Sequence, residues 1–143
     1  MIVKACKEDY PFLIEIWESS VKATHYFLSE KDFIFYKSQL PFYFEHVDLY
    51  IFRDDSIYKG FIGVSTDSIE MLFVDDCYRG YGVGKELLLY AIRNLNKNKV
   101  DVNEQNEGAL AFYKHFGFIS IGRSEHDSEG KEYPIIRLRL DNK

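Results

Sequence analysis

The chain has 143 residues, 46% of them apolar and 29% charged, with a formal net charge of −5. That is material for one domain with a sizeable buried core, and the composition excludes a disordered tail. The acidic balance argues against a nucleic-acid partner, which needs a basic footprint, and no run approaches the ~18 apolar residues of a membrane span.

Residues 1–143 carry no internal repeat or Pro/Gly/Ser linker, so a single domain is expected. The charges from Lys4 to Asp9 fit no signal peptide, which makes the expected location cytoplasmic, with Cys6 and Cys77 as free thiols. Ile2 to Ala5 reads as a first strand. Asp9 suits a helix N-cap and Pro11 a first turn, with Leu13, Ile16, Trp17 and Val21 on one helical face. Ser29 and Asp32 resemble a capping box opening a second helix, which is expected to end before Pro41. Strands follow at 47–53, 57–65 and 69–74, joined by short polar turns that imply antiparallel pairing.

After Val74 the rhythm changes. Val83, Leu87, Leu88, Ala91, Ile92 and Leu95 mark an amphipathic third helix, and Val100 to Val102 a brief fifth strand. Ala109, Phe112 and Phe116 mark a fourth helix, stopped by Gly117. Phe118 to Ser124 and Tyr133 to Leu140 close the chain as strands. The pattern is a mixed α/β domain, its sheet mostly antiparallel, with a parallel unit built from the fourth strand, third helix and fifth strand.

The segment Arg79-Gly80-Tyr81-Gly82-Val83-Gly84-Lys85 sets three alternate glycines between a strand and a helix start. Glycine permits positive φ and close backbone approach to a ligand, and the opening N–H groups of a helix attract phosphate. Arg79 adds a charged donor. A Walker loop would need Gly at position 79 and Ser or Thr after Lys85, where Arg79 and Glu86 stand. A dinucleotide fingerprint would need its third glycine where Lys85 or Leu87 stands. A ligand-free strand-to-helix turn is the alternative.

This R-G-x-G-x-G loop resembles the coenzyme A motif of the GCN5-related N-acetyltransferase (GNAT) superfamily. The stretch Asn106-Glu-Gly-Ala109-Leu-Ala-Phe112-Tyr113-Lys-His-Phe-Gly117-Phe118 resembles the closing pattern of the same family. The runs Ala23-Thr24-His25-Tyr26-Phe27-Leu28 and Gly122-Arg123-Ser124-Glu125 are similar to its small bacterial members of the YjaB type. The resemblance implies a GNAT-like fold, splayed between the parallel fourth and fifth strands to admit coenzyme A. It implies acetyl-coenzyme A as co-substrate, without metal, and an amine acceptor. Leu72, Phe73 and Val74 would offer backbone groups to the pantetheine arm. Arg79, Gly80, Gly82, Val83, Gly84 and Lys85 would hold the pyrophosphate, and Asn106 and Tyr113 would contact the coenzyme.

Aminolysis of a thioester requires a neutral amine, a stabilised carbonyl oxygen and a proton for the leaving thiolate. Strand N–H groups near Leu72 to Val74 can serve the oxygen. The resemblance assigns the proton to Tyr113, although its spacing with Ala109 and Phe116 also fits a core position. Glu70 and Asp101 are the candidate bases, acting through water. Thr24, His25 and Phe27 are candidate acceptor-wall residues, and a lone histidine is as compatible with a structural role. His46, His115 and His126 have no metal-ligand spacing. The reading is an N-acetyltransferase acting on a primary amine of a small molecule or peptide by direct attack in a ternary complex, as a monomer or homodimer. The alternatives are a non-catalytic acyl-coenzyme A sensor and a dedicated protein or peptide acetylator.

Overall fold

The computed structural model describes residues 1–141 and places the helices and strands in the order the sequence implies. They group into two units, Met1–Lys97 and Asn98–Lys143. The first contains β1 (Ile2–Lys4), α1 (Tyr10–Thr24), α2 (Glu30–Phe44), β2 (Asp48–Asp54), β3 (Ile57–Val64), β4 (Ser68–Val74) and α3 (Val83–Arg93). Two single 3₁₀ turns, Lys7–Asp9 and Asp76–Tyr78, were not foreseen. The second contains β5 (Lys99–Asn103), α4 (Glu107–His115), β6 (Phe118–Ser124) and β7 (Ile135–Leu140).

In the first unit β1 to β4 pair antiparallel in chain order. Strand alternation divides their side chains between two helical layers. Leu49, Ile51 and Phe61 join Leu13, Ile16, Trp17, Leu40 and Phe44 in one core under α1 and α2. On the opposite face α3 sits close to β3. A Cβ at Gly60 would lie 2.9 Å from Val83 Cγ1 and 3.2 Å from Leu87 Cδ1, so only glycine lets the start of α3 approach the strand this closely. In the second unit β7 pairs antiparallel with both β5 and β6, and Tyr113 of α4 packs its ring on Phe118 of β6.

Two local expectations need correction. The second helix runs through Pro41 to Phe44. Proline inside a helix removes one hydrogen bond and crowds the preceding turn, at about 3 kcal/mol. Leu40 and Phe44 are 2% and 1% exposed, and burying two such side chains contributes about 1.5–3 kcal/mol each, which outweighs that cost. Asp9 stands at the N-cap of α1, but its carboxylate makes no capping bond to the helix. It accepts instead from Cys6 N–H at 2.9 Å and from the Tyr58 hydroxyl at 2.7 Å, tying the helix start to the β2–β3 hairpin. Ser29 does cap α2, accepting from Asp32 N–H at 3.1 Å.

Candidate active site

Val74 ends β4, and the chain then turns through Asp76–Tyr78 into the glycine loop. Gly80 and Gly82 both have φ +84°, the left-handed region that favours glycine, and a Cβ on either would meet nothing within 4 Å. The space above the loop is therefore open, and no packing of the protein itself requires these glycines. The first bond of α3 runs from Glu86 N–H to Gly82 O at 3.0 Å, which leaves Val83, Gly84 and Lys85 N–H without an acceptor inside the helix. Left-handed glycines, open space and converging donors at a helix start fit a pyrophosphate.

The loop is fastened from behind. Ser19 of α1 donates to Asp75 Oδ1 at 3.2 Å and accepts from Asp76 N–H at 3.0 Å, while Asp75 also accepts Cys77 N–H at 3.0 Å. No sequence signal links Ser19 to residues 56 and 57 positions away. The Arg79 guanidinium lies 3.2 Å from Asp76 Oδ1 in a half-exposed pair. Cys6 and Cys77 are both exposed free thiols. The hydrogen bond with Asp75 raises the Cys77 thiol above its ordinary value, and hydrogen bonds with Glu8 and Asp9 raise Cys6, so neither is an activated nucleophile.

Leu72, Phe73 and Val74 are partly buried on β4, where Phe73 packs against the α1–α2 core. The expected acceptor-wall residues come together here. The His25 ring centroid is 5.2 Å from Phe27 and 6.5 Å from Phe73, and His25 Nδ1 is 2.7 Å from Thr24 Oγ1. Glu70 is exposed and accepts from Ser65 Oγ at 2.7 Å. Val64 pairs with Ile69 and Gly63 with Met71, so Glu70 is the extra residue of a β-bulge, a device that re-aims a side chain.

In the second unit Asn106 is the N-cap of α4, its Oδ1 accepting Ala109 N–H at 3.1 Å. Tyr113 is the one buried residue of α4, 5% exposed, with its ring edge-on to Phe112 and Phe118. Burial pushes its phenol well above the ordinary tyrosine value, so it keeps its proton at physiological pH. Asp101 is exposed on β5 opposite Arg137 of β7. Among the described residues no group of histidine, cysteine and carboxylate side chains is arranged to hold a metal ion, and no helix is long and apolar enough to cross a membrane.

A glycine loop that follows the last of four antiparallel strands and opens a helix fits a phosphate-bearing ligand, and the class of protein follows from its relatives. The acetyltransferase (GNAT) domain family matches residues 31–133. A peptidyl-lysine N-acetyltransferase of Escherichia coli K12, YjaB, is 38% identical over 133 residues, covering 88% of this chain and 86% of the relative. The solution structure of apo YjaB from Escherichia coli superposes with a TM-score of 0.85 at 34% identity, covering 100% of this chain and 98% of that one. The PaiA N-acetyltransferase of Thermoplasma acidophilum, solved with coenzyme A, shares the fold at a TM-score of 0.71 and 22% identity, covering 98% of each chain. The chain belongs to the GNAT family of acetyltransferases. It is an acetyl-coenzyme A-dependent N-acetyltransferase, and both the fold class and the YjaB-type resemblance read from the sequence are borne out.

Proposed function

We propose that this enzyme acetylates the ε-amine of lysine in a peptide or protein by direct attack in a ternary complex. The observation that carries the acceptor class is the 38% identity, over 88% of the chain, to a peptidyl-lysine N-acetyltransferase. Direct transfer is favoured over a covalent acyl-enzyme because the thiols of Cys6 and Cys77 both have raised pKa values.

Acetyl-coenzyme A supplies the activated thioester when bound. The N–H groups of Val83, Gly84 and Lys85, with the Gly80 and Gly82 backbone and the Arg79 side chain, hold the pyrophosphate. The backbone of Leu72, Phe73 and Val74 aligns the pantetheine arm and donates to the carbonyl oxygen, and Asn106 makes a further contact to the coenzyme. Tyr113 donates to the departing sulfur. Its burial makes a phenolate costly, so the hydroxyl stabilises the thiolate chiefly by hydrogen bonding and the proton is delivered late. Glu70, aimed by its bulge, draws the proton from the amine through water, with Asp101 the alternative carboxylate. Thr24, His25 and Phe27 form the wall against which the acceptor rests.

The test is thiol release from acetyl-coenzyme A across lysine peptides, free amino acids, polyamines and amines. Lysine peptides are expected to give the highest kcat/KM. Tight coenzyme binding with no thiol release on any peptide would overturn the reading in favour of a sensor.

A further inference from the structure

Ser19 departs from the usual behaviour of a hydroxyl inside a helix, which turns back to the carbonyl four residues earlier. Thr24 of the same helix does so, donating to Ser20 O at 2.7 Å. Ser19 instead donates to Asp75 Oδ1 at 3.2 Å and accepts Asp76 N–H at 3.0 Å. A hydroxyl donates and accepts at one atom, which is what this grip on two successive residues requires. Its anchors are firm. Leu13, Ile16, Trp17 and Val21 bury one face of α1 in the core, so the helix that carries Ser19 is fixed. Asp75 donates its own N–H to Lys59 O of β3 at 2.9 Å, and its carbonyl accepts Tyr78 N–H at 2.8 Å. One residue thus knots α1, β3 and the 3₁₀ turn together. Beyond it the turn bonds lengthen, to 3.3 Å from Arg79 N–H to Asp76 O and 3.4 Å from Tyr81 N–H to Tyr78 O. Glycines, the residues with most backbone freedom, follow at Gly80 and Gly82.

We infer that Ser19 is a positioning residue for the coenzyme. By fixing Asp75 and Asp76 it sets the direction in which the segment from Arg79 to Lys85 presents its N–H groups, and it acts through the loop, without a bond of its own to the ligand. The inference rests on the proposed function, in which that segment holds the pyrophosphate. A loop ordered in the free protein loses less conformational freedom on binding, so the order is expressed as affinity. The fold has little at stake in the same hydroxyl. Without it Asp76 N–H, which is exposed, bonds to water, and Asp75 Oδ1 keeps Cys77 N–H at 3.0 Å. The cost of losing it therefore falls on the coenzyme.

Ser19→Ala removes both bonds and places the best helix former inside α1, so the variant folds. The Kd for coenzyme A by calorimetry and the KM for acetyl-coenzyme A are expected to rise about 5- to 20-fold, the worth of one or two net hydrogen bonds. With a lysine peptide, kcat at saturating acetyl-coenzyme A is expected to stay at the parent value. Ser19→Thr returns a hydroxyl to the same Cβ and is expected to recover most of the affinity. Ser20→Ala, the same change one residue along, is expected to match the parent. A merely structural role gives a lowered Tm with unchanged Kd. That result, a fall in kcat with KM unchanged, or a threonine variant no better than alanine overturns the inference. A parent that fails to bind coenzyme A overturns the cradle along with it, and that failure is distinct because it appears before any substitution. A parent that binds coenzyme A but acetylates no lysine peptide overturns the acceptor assignment alone, and the calorimetric comparison still decides the role of Ser19.

Discussion

Replacing Gly82 with alanine separates what the glycine does for the fold from what it does for the ligand. At φ +84° an L-residue costs about 1–2 kcal/mol in the left-handed region. No further cost is expected, because the new Cβ would meet no protein atom within 4 Å. Gly130, in the β6–β7 turn, has φ +76° and equally open space, so Gly130→Ala carries a similar backbone penalty. Denaturant unfolding should therefore show both variants destabilised by about 1–2 kcal/mol. Coenzyme binding should distinguish them. In the proposed cradle the Gly82 methyl would stand where a pyrophosphate comes to meet the N–H groups of Val83 to Lys85. Each lost bond to a charged phosphate oxygen is worth about 1.5–3 kcal/mol, so the loss of two weakens binding about 100-fold or more. Calorimetric titration with coenzyme A makes the comparison, with Gly130→Ala expected to match the parent. Equal affinities in the two variants would refute the cradle and leave a strained turn with no ligand.

Arg79→Ala should weaken coenzyme binding by about 1–2 kcal/mol, less than a full charged bond, because the free protein already spends a weak surface pair on Asp76. Asp76→Asn should tighten it several-fold at low salt; unchanged titrations in both would mean that the guanidinium points away from the ligand. Tyr113→Phe should lower acetyl transfer about 10²- to 10⁴-fold with coenzyme affinity intact, and a fully active variant would make Tyr113 a packing residue only. Stability should depend on pH through His25. Its pKa is about 4 folded and 6.5 ordinarily, so between those values the unfolded chain binds more protons and stability falls as pH falls from 6.5 to 4. That loss is on the order of 3 kcal/mol, and it should be missing from the His25→Gln variant in unfolding measurements at pH 7.5 and 4.5.

The helices and the glycine loop were readable because each is a local pattern. Leu13, Ile16, Trp17 and Val21 repeat at helical spacing, and all four are buried on one face of α1. The loop was recognisable because glycines, a preceding strand and a following apolar stripe stand within one short run. What was hidden depends on residues far apart in the chain. The continuation of α2 past Pro41 comes from the burial of Leu40 and Phe44 in a core shared with Leu13 and Phe61, which outweighs a local helix breaker. The seat of α3 depends on Gly60, which the sequence offers only as one small residue in a strand. The bulge that makes Glu70 the extra residue of β4 is a matter of register and leaves no compositional trace.

In the proposed function the two ligands are recognised by different parts of the chain, and this would explain an oddity of the loop. The segment proposed to hold pyrophosphate carries two carboxylates, Asp75 and Asp76, just ahead of Arg79. Neither is there for the anion. Asp75 caps the 3₁₀ turn and receives Ser19, and Asp76 donates its N–H to Ser19 and pairs with Arg79, so both order the loop. Coenzyme recognition, as proposed, then falls mainly to backbone N–H groups, whose direction is set by the seat of α3 on Gly60. An ordered cradle has less conformational entropy left to lose, which offsets the repulsion two nearby carboxylates exert on a phosphate. The side chains free to vary without disturbing that cradle are those at the end of α1 and in the turn to α2. With Thr24, His25 and Phe27 as the proposed acceptor wall, acceptor choice would change there while the coenzyme site remains as it is.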